Sequence, residues 1–263
     1  MLVELVPTTR YLAFIMPTLI LQHSPHGAAG NVGTVLSEFG LRMQTIRLDL
    51  GEPLPPDFND VDGIVSGGGA PSATDDSVPW LAAEMAFLKE AHERSLPILG
   101  ICLGSQVLAR ALGGKVRRME QGPSVGLIQV NLTPDGREDP LFRGLPWYGE
   151  WPSWHEDEVS ELPPGAKLMA KSDRCEIEAW HAGVFTFGIQ FHPEWTAEAV
   201  QKICDDPTRL PAGATVDTAA VRAEAIDRAE VIDRQSRRFA ESVASYLMVP
   251  DKVNPGVVKD LHY

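Results

Sequence analysis

Residues 99–106 read Leu-Gly-Ile-Cys-Leu-Gly-Ser-Gln, and this short stretch decides most of what the sequence predicts about the fold. An apolar run at 98–101 is typical of a buried strand, and residues 105–112 have the pattern of a helix that ends at a Gly-Gly pair. Gly100 and Gly104 flank Cys102 in the Gly-x-nucleophile-x-Gly arrangement of a sharp turn between strand and helix. Although a free cysteine is more often an inert core residue, this spacing predicts a strained turn that lifts the Cys102 thiol above a sheet. The helix N-terminus behind it favours the thiolate.

Short apolar runs alternate with amphipathic stretches on both sides of this turn. The pattern predicts strands at 18–22, 43–48, 63–66, 98–101, 116–119, 126–132, 176–180 and 184–191. It predicts helices at 31–39, 78–94, 105–112 and 196–204. The section between 132 and 176 is rich in Pro, Gly and Trp, which favours loops and an antiparallel excursion. The sequence therefore predicts an α/β fold, with helices on both faces of a mostly parallel central sheet in three α/β/α layers.

The C-terminal part differs in composition from the rest. Residues 206–214 have the composition of a loop, and residues 218–248 predict one long helix with apolar positions every three or four residues. One face of this helix should therefore pack on the preceding domain, and nothing marks a second independent domain. We predict a domain at 1–205 and a C-terminal helical extension at 206–263 that packs on it, with a loose tail after residue 250.

Composition excludes several classes of protein. The 263 residues carry a net charge of −13, which disfavours nucleic-acid binding and docking on an anionic membrane. Three cysteines in a chain of this size do not indicate a disulfide framework. The apolar run at 11–21 is too short to span a bilayer, is interrupted by Pro17, and lacks the basic start of a signal peptide. We therefore predict a cytoplasmic protein.

A cysteine nucleophile needs a base and a group that orients the base. Residues 188–195 read Gly-Ile-Gln-Phe-His-Pro-Glu-Trp. The proline favours extended backbone at His192, and in extended chain residues i and i+2 point the same way. Glu194 can therefore hold one nitrogen of the His192 imidazole while the other nitrogen faces Cys102. His-Pro-Glu alone would more often be a surface turn, but together with the cysteine turn it predicts a catalytic triad.

Acyl transfer also needs hydrogen-bond donors for the developing oxyanion. The backbone N–H of Leu103, directly after the nucleophile, is one candidate. The Ser-Gly-Gly-Gly run at 66–69 offers a second donor from one of its glycines. A phosphate-binding turn is disfavoured because this run lacks the P-loop Lys-Ser/Thr and the spacing of GxGxxG.

These three segments together resemble the class I, or triad-type, glutamine amidotransferases over residues 18–195. The resemblance implies a flavodoxin-like amidotransferase fold in which Cys102 attacks the δ-carbonyl of glutamine. It implies that His192 protonates the leaving ammonia and then activates water, and that Glu194 orients His192. It also implies an oxyanion hole formed by Gly68 and Leu103, with substrate contacts from Gln106. Glutamine would then be hydrolysed to glutamate and ammonia through a γ-glutamyl thioester.

The sequence leaves the reaction partner open. One alternative is a stand-alone γ-glutamyl peptide hydrolase or transpeptidase, and another is a catalytically silent binding or regulatory protein on the same fold. Further alternatives left open are an ammonia-accepting synthase as a partner and a homodimer. The substrate is a small molecule, glutamine or a γ-glutamyl compound.

Two further features are open to interpretation from sequence. Residues 154–157 read Trp-His-Glu-Asp, and the last three correspond to a His-Gly-Asp stretch in many members of that family. The backbone of this stretch usually lines the glutamine pocket, so Glu156 in place of glycine alters one wall of the pocket. His23 and His26 lie three residues apart after the first strand. Because no nearby acid or cysteine completes a ligand set, they are interpreted as ordinary loop residues, and no metal or cofactor is predicted.

Overall fold

The computed structural model describes residues 16–25, 27 and 29–249. Its strands are β1 (Thr18–Gln22), β2 (Met43–Arg47), β3 (Gly63–Ser66), β4 (Ile98–Ile101), β5 (Lys115–Arg118), β6 (Ser124–Leu132), β7 (Tyr148–His155), β8 (Asp157–Glu161), β9 (Lys167–Lys171), β10 (Ala179–Ala182) and β11 (Thr186–Ile189). Its α-helices are α1 (Gly30–Glu38), α2 (Leu81–Glu93), α3 (Leu103–Ala111), α4 (Pro134–Glu138), α5 (Ala197–Cys204), α6 (Thr218–Asp227) and α7 (Ala229–Ser242). No helix within the described residues is long and apolar enough to cross a membrane.

Within these residues, one nine-stranded sheet has the order β2-β1-β3-β4-β11-β10-β9-β6-β7. The five strands from β2 to β11 pair in parallel, and the remaining four continue the sheet in antiparallel pairs. Strands β5 and β8 form a separate antiparallel pair. The carboxyl ends of β3, β4 and β11 therefore meet at one edge, where ligand sites of α/β folds lie.

The layers follow from the alternation of side chains along the central strands. On β1, Leu19 and Leu21 belong to the apolar cluster under α2 and α3, whereas Ile20 points into the opposite cluster. That opposite cluster contains Val32 of α1 and Phe239 of α7. Burial on both faces explains why these strands are continuous apolar runs. The predicted α/β fold with a central sheet between helices is confirmed.

The predicted single helix at 218–248 was wrong in one respect, because the chain breaks at Arg228 into α6 and α7 and ends in a π-helical turn, Val243–Leu247. Helix α6 packs against α5 and β6, whereas α7 packs mainly against α1. Asn31 of α1 hydrogen-bonds Ser236 of α7 at 3.1 Å. One straight helix cannot follow both surfaces, so the backbone changes direction between them. A boundary at residue 205 stays a prediction.

Other differences concern the middle of the chain. The excursion between 132 and 176 is antiparallel as expected, but it contains regular strands β7 to β9 rather than mainly loops. The strand predicted at 176–180 lies at Ala179–Ala182, and the helix predicted to begin at 105 begins at Leu103. Tertiary pairing overrides the Pro and Trp content of this section, since β7 pairs with β6 along its full length. The first half of the run at 11–21 and the tail after 249 lie outside the described residues.

Candidate active site

The turn after β4 has the strained geometry that its sequence predicts. Cys102 has φ +52° and ψ −108°, and α3 begins at the next residue. Its N–H donates to the Ile189 carbonyl oxygen of β11 at 2.7 Å. A methyl group on Gly100 would lie 2.7 Å from the Gly104 carbonyl oxygen, and one on Gly104 would collide with the backbone of Ser66. Glycine at both positions therefore lets three backbone segments pass close together beneath the thiol.

Gly104→Ala is expected to destabilise the fold by roughly 2–3 kcal/mol, because its methyl group meets the Ser66 carbonyl and the backbone must shift. Urea unfolding followed by circular dichroism measures this. Gly33→Ala is the matched control in helix α1, where the nearest atom, the Ala29 Cβ, is 3.2 Å away. That control should change stability by less than about 1 kcal/mol. Equal midpoints for the two variants would contradict the tight packing inferred at the turn.

His192 lies beside Cys102 and is held by Glu194. The His192 Nδ1 atom is 2.8 Å from Glu194 Oε1, and the imidazole lies beside Cys102, whose side chain contributes to the pKa of His192. Burial by itself lowers the pKa of His192, but the charges of Glu194 and Cys102 outweigh burial and raise that pKa above its ordinary value. Trp195 stacks on the ring with centroids 3.8 Å apart and planes at 14°. The structure thus brings the three predicted triad residues together, with His192 between Cys102 and Glu194.

The Gly-rich run at 66–69 lies directly against this triad. A methyl group on Gly68 would lie 3.2 Å from His192 Cε1 and 3.7 Å from Cys102 Cβ. The Gly67 carbonyl oxygen points away, since it accepts hydrogen bonds from the Gly104 N–H at 3.1 Å and from His23 Nδ1 at 3.1 Å. In a trans peptide the N–H points opposite to the C=O. The N–H of Gly68 is therefore directed away from His23.

His23 lies in the bend directly after β1, in agreement with its interpretation as a loop residue, but it has a structural partner that the sequence did not indicate; His26 lies outside the described residues. His23 is buried, its Nε2 is 2.9 Å from Glu84 Oε2, and its Nδ1 faces the Gly67 carbonyl. Burial alone lowers the pKa of His23, but Glu84 and the carbonyl groups raise it above its ordinary value. Glu84 also accepts from Ser66 Oγ at 2.7 Å. This buried pair fixes the Gly-rich run beside the nucleophile.

A sequence signal for this pair existed in helix α2. Glu84 occupies the same face as Leu81, Leu88 and Ala91, which are all buried. An acid on an otherwise apolar helix face must find a polar partner in the interior. The identity of that partner, His23, could not be deduced because it lies 61 residues away.

Gln106 is buried on α3 and lines the same cavity as Cys102. Its Nε2 donates to the Asp157 carbonyl oxygen at 2.8 Å and to Gln190 Oε1 at 3.2 Å. The side-chain amide therefore ties α3 to the start of β8 and to the end of β11. A contact between Gln106 and substrate stays a prediction.

The cavity over Cys102 has a volume of about 390 Å³. Its lining includes the triad, Gly68, Leu103 and Gln106, together with Trp154 of β7. A further group comes from the chain around α5 and the loop that follows it, namely Trp195, Ile203, Thr208, Arg209, Leu210, Pro211 and Ala212. No role was predicted for this further group from the sequence. Trp154 Nε1 donates to the Arg209 carbonyl oxygen at 2.7 Å and fixes the loop against the cavity wall.

Glu156, the departure from the His-Gly-Asp pattern, has a structural partner. It forms an ion pair with Arg118, and the same guanidinium donates to the Ala212 carbonyl oxygen at 2.9 Å. Its neighbour His155 is buried and bonds the Asp157 carbonyl oxygen through Nδ1, and burial lowers the pKa of His155 to about 4. Glu156 therefore connects the wall of the cavity to the loop at 207–212 through Arg118.

A buried acid lies behind the cavity. Glu178 Oε1 accepts from Ser172 Oγ at 2.7 Å, while its buried Oε2 has no hydrogen-bond partner among the described residues. Burial raises the pKa of Glu178 to about 7, with Ser172 opposing the rise and Glu158 adding to it. Because this pKa lies above that of the unfolded chain, the folded state binds the extra proton between the two values. Its contribution to stability is complete at low pH and is lost as the pH rises through about 7.

Glu178→Gln is expected to weaken this dependence of stability on pH. Between pH 4 and pH 8, the free energy of unfolding of the variant should therefore rise by roughly 2–3 kcal/mol relative to that of the parent protein. Urea unfolding at several pH values measures the change. The exposed Glu176→Gln on the same segment is the matched control and should follow the parent curve. Parallel curves for parent and Glu178→Gln would show that Glu178 ionises normally.

Among the described residues, no three His, Cys, Asp or Glu side chains are grouped so that they could hold a metal ion. All three cysteines, Cys102, Cys175 and Cys204, are free. Burial raises the pKa of Cys175 far above its ordinary value, which makes that thiol unreactive. Among the cysteines, Cys102 alone combines a strained backbone with a histidine partner.

A cysteine on a strained strand–helix turn, beside a histidine that is oriented by a carboxylate, defines the class of hydrolases and acyltransferases with a thiol nucleophile. A family model described as glutamine amidotransferase class-I matches residues 29–204. The chain therefore belongs to the class I glutamine amidotransferase family. The family, the fold class and the enzyme class predicted from the sequence are confirmed.

Individual relatives carry two kinds of name. A glutamine-hydrolyzing GMP synthase subunit from Thermococcus kodakarensis is 46% identical over 111 residues, which are 41% of this chain and 56% of that protein. Gamma-glutamyl peptidase 5 of Arabidopsis thaliana is 32% identical over 180 residues, which are 67% of this chain and 71% of that protein. The chain thus spans little more than half the length of the first of these relatives.

Solved structures share the fold over most of the chain. A glutamine amido transferase from Methylobacillus flagellatus superimposes with a TM-score of 0.76 at 28% identity, covering 87% of this chain and 94% of that one. A glutamine amidotransferase from Thermotoga maritima superimposes with a TM-score of 0.77 at 24% identity, covering 88% and 99%. The second match supports the fold alone.

Proposed function

We propose that this protein cleaves the γ-amide bond of glutamine or a related γ-glutamyl compound through a thioester on Cys102. The arrangement of Cys102, His192 and Glu194 side by side in the lining of one cavity carries the proposal. The Cys102 sulfur attacks the δ-carbonyl carbon, and His192 donates a proton to the departing nitrogen. Water, activated by His192, then hydrolyses the thioester and releases glutamate. The complete triad speaks against a catalytically silent role.

The developing oxyanion would be received by the N–H groups of Gly68 and Leu103. Leu103 follows the nucleophile at the start of α3, and the Gly68 peptide is oriented by the hydrogen bonds to the Gly67 carbonyl. Donors that are fixed before reaction stabilise a transition state without reorganisation. The His23–Glu84 pair would therefore act on catalysis through the Gly68 peptide. Gln106 would meet the amino-acid end of the glutamyl group.

A second candidate, hydrolysis of γ-glutamyl peptides, is favoured by the size of the cavity. Glutamine fills on the order of 150 Å³ at the packing density of protein interiors, well below the volume over Cys102. The additional space is lined by Trp154, Trp195 and the loop at 207–212. Relatives at 30–33% identity are named γ-glutamyl peptidases, which agrees with a leaving group larger than ammonia.

Other relatives are named as subunits of GMP synthase, so delivery of ammonia to a synthase partner is the competing proposal. A homodimer, a cytoplasmic location and the division into a domain at 1–205 with an extension at 206–263 are also proposals. The helices α6 and α7 support the extension because they pack on α5, β6 and α1.

The test is glutamate release by the parent protein from L-glutamine and from γ-glutamyl dipeptides, assayed separately, with Cys102→Ala as the blank. Preferential release from dipeptides would establish a peptide hydrolase, and preferential release from glutamine an amidotransferase-type glutaminase. Glutamate release that does not exceed the blank for any substrate would refute hydrolysis by the isolated chain.

A further inference from the structure

The position of His192 decides on which side of the cavity the leaving group of the reaction lies. His192 must protonate the departing nitrogen, so this nitrogen lies next to His192 when the C–N bond breaks. The exposed side of the triad is bounded there by Trp195, which stacks on His192, and by Trp154, whose ring centroid is 6.4 Å from that of Trp195. The Gly68 peptide lies on the oxyanion side. A leaving group larger than ammonia would therefore extend toward the two tryptophans and the loop at 207–212.

That loop presents an arginine that the fold does not use. Arg209 is half-buried and lines the cavity, but its guanidinium forms no hydrogen bond or ion pair within residues 16–25, 27 and 29–249. The other half-buried arginines of the same residues are all paired, namely Arg47, Arg110, Arg137, Arg174, Arg222, Arg237 and Arg238. Burial lowers the pKa of Arg209, and the nearby charge of Asp206 only partly opposes this. Half-burying a cation without a hydrogen-bonded partner is costly unless a ligand supplies the counter-charge.

The backbone around Arg209 is held firmly. The Arg209 carbonyl accepts from Trp154 Nε1 at 2.7 Å, and Arg118 connects Ala212 to Glu156. The neighbours of Arg209 on the cavity wall, Leu210 and Pro211, are apolar. The loop therefore combines an apolar surface with one cation that has no hydrogen bond or close ion pair among the described residues, next to the expected exit of the leaving nitrogen.

We propose that this loop forms a binding site for the amino acid that leaves a γ-glutamyl peptide, with Arg209 binding its free α-carboxylate and the tryptophans, Leu210 and Pro211 contacting an apolar side chain. This inference rests on the proposed γ-amide cleavage and specifies γ-glutamyl peptides as the class of substrate. In the first step the Cys102 S–C bond forms, the γ-amide C–N bond breaks, and the nitrogen takes a proton from His192. The leaving group is then a free amino acid. Water hydrolyses the thioester, which returns the thiol and gives glutamate.

A carboxylate is favoured as the ligand group by chemistry and by position. Guanidinium and carboxylate form paired, charge-assisted hydrogen bonds, and in a γ-glutamyl dipeptide the carboxylate is joined through one carbon to the nitrogen that His192 protonates. Glutamine itself lacks this group, because its leaving nitrogen departs as ammonia. The site therefore distinguishes γ-glutamyl peptides from glutamine.

The test measures binding to Cys102→Ala, which cannot turn substrate over, by titration calorimetry. The two probes are γ-glutamyl-leucine and γ-glutamyl-leucinamide, which differ only in the terminal charge. The peptide with the free carboxylate should bind about 10- to 100-fold more tightly. Adding Arg209→Gln should abolish that preference, whereas Arg209→Lys should keep part of it. Lys202→Gln removes one exposed charge from the nearby helix α5 and is the matched control, which should keep the full preference.

Equal affinity of the two probes for Cys102→Ala would overturn the carboxylate site, as would an Arg209→Gln variant that weakens both probes equally. The proposed hydrolysis fails separately, through absence of glutamate release by the parent protein. Circular dichroism spectra identical to that of Cys102→Ala would show that the variants are folded. If Arg209→Gln does not fold, the comparison of the two probes on Cys102→Ala decides alone.

Discussion

Replacing Cys102 with alanine is expected to abolish glutamate release, with a loss on the order of 10⁴-fold or more. In the proposed mechanism the sulfur forms the covalent bond to the glutamyl group, and no other thiol among the described residues has a histidine beside it. The protein should remain folded, because alanine can be accommodated where the larger side chain was. Glutamate released from γ-glutamyl-leucine and from glutamine is measured at fixed times and at equal concentrations of the parent protein and the variant. The ratio of the two rates gives the loss of activity.

Cys204→Ala is the matched control, since Cys204 is also a free cysteine and lies near the cavity-lining Ile203 on α5. It should retain activity within about threefold of the parent protein, as expected for a substitution that leaves the reacting groups in place. Substantial turnover by a folded Cys102→Ala variant would exclude a thioester mechanism. An equal loss in both cysteine variants would indicate damage to the fold instead.

Replacing Glu194 with glutamine is expected to lower kcat by roughly 10²- to 10⁴-fold while KM changes little. Glu194 touches His192 Nδ1 at 2.8 Å and holds the ring toward Cys102, so its loss acts on the transition state more than on substrate binding. Steady-state kinetics with the better of the two substrates separates kcat from KM. A rise in KM at constant kcat would show that Glu194 does not orient the base.

The pH profile gives an independent readout of the same variant. Glu194 raises the pKa of His192, so the charged imidazole persists to higher pH in the parent protein. Without this carboxylate the pKa of His192 falls, and the alkaline limb of the kcat/KM profile should move to lower pH. An unchanged alkaline limb would mean that His192 ionises independently of Glu194. Glu198→Gln, at an exposed position on α5, should leave both kinetics and profile unchanged.

The loop at 207–212 gives a physical reason for the residue that replaces glycine at position 156. Glycine cannot bind Arg118, whereas Glu156 forms an ion pair with it, and Arg118 in turn donates to the Ala212 carbonyl oxygen. The altered His-Gly-Asp pattern and the loop that lines the cavity are thus connected through Arg118. Exposed ion pairs contribute at most about 1 kcal/mol, so this connection would position the loop rather than stabilise the fold.

Much of the site could be predicted because its signals are local. Cys102 and its flanking glycines lie within one turn, and His192 and Glu194 are two residues apart on extended chain. Short apolar runs likewise predicted the buried strands β1, β3 and β4, whose side chains are covered on both faces. Strands β7 to β9 were missed because their regularity comes from pairing with distant partners rather than from their own composition.

The sequence by itself therefore determined the class of fold, and it predicted the nucleophile, its base and the orienting acid, since each depends on spacing over a few residues. Only the tertiary structure decided what surrounds them. The pairing of His23 with Glu84 joins residues 61 positions apart, and the contact of Arg118 with Ala212 joins residues 94 positions apart. The absence of a hydrogen-bonded partner for Arg209 within the described residues is likewise visible only when every neighbour is in place. Burial and counter-charge are properties of the packed chain, so the size and selectivity of the cavity are set by packing and not by any motif.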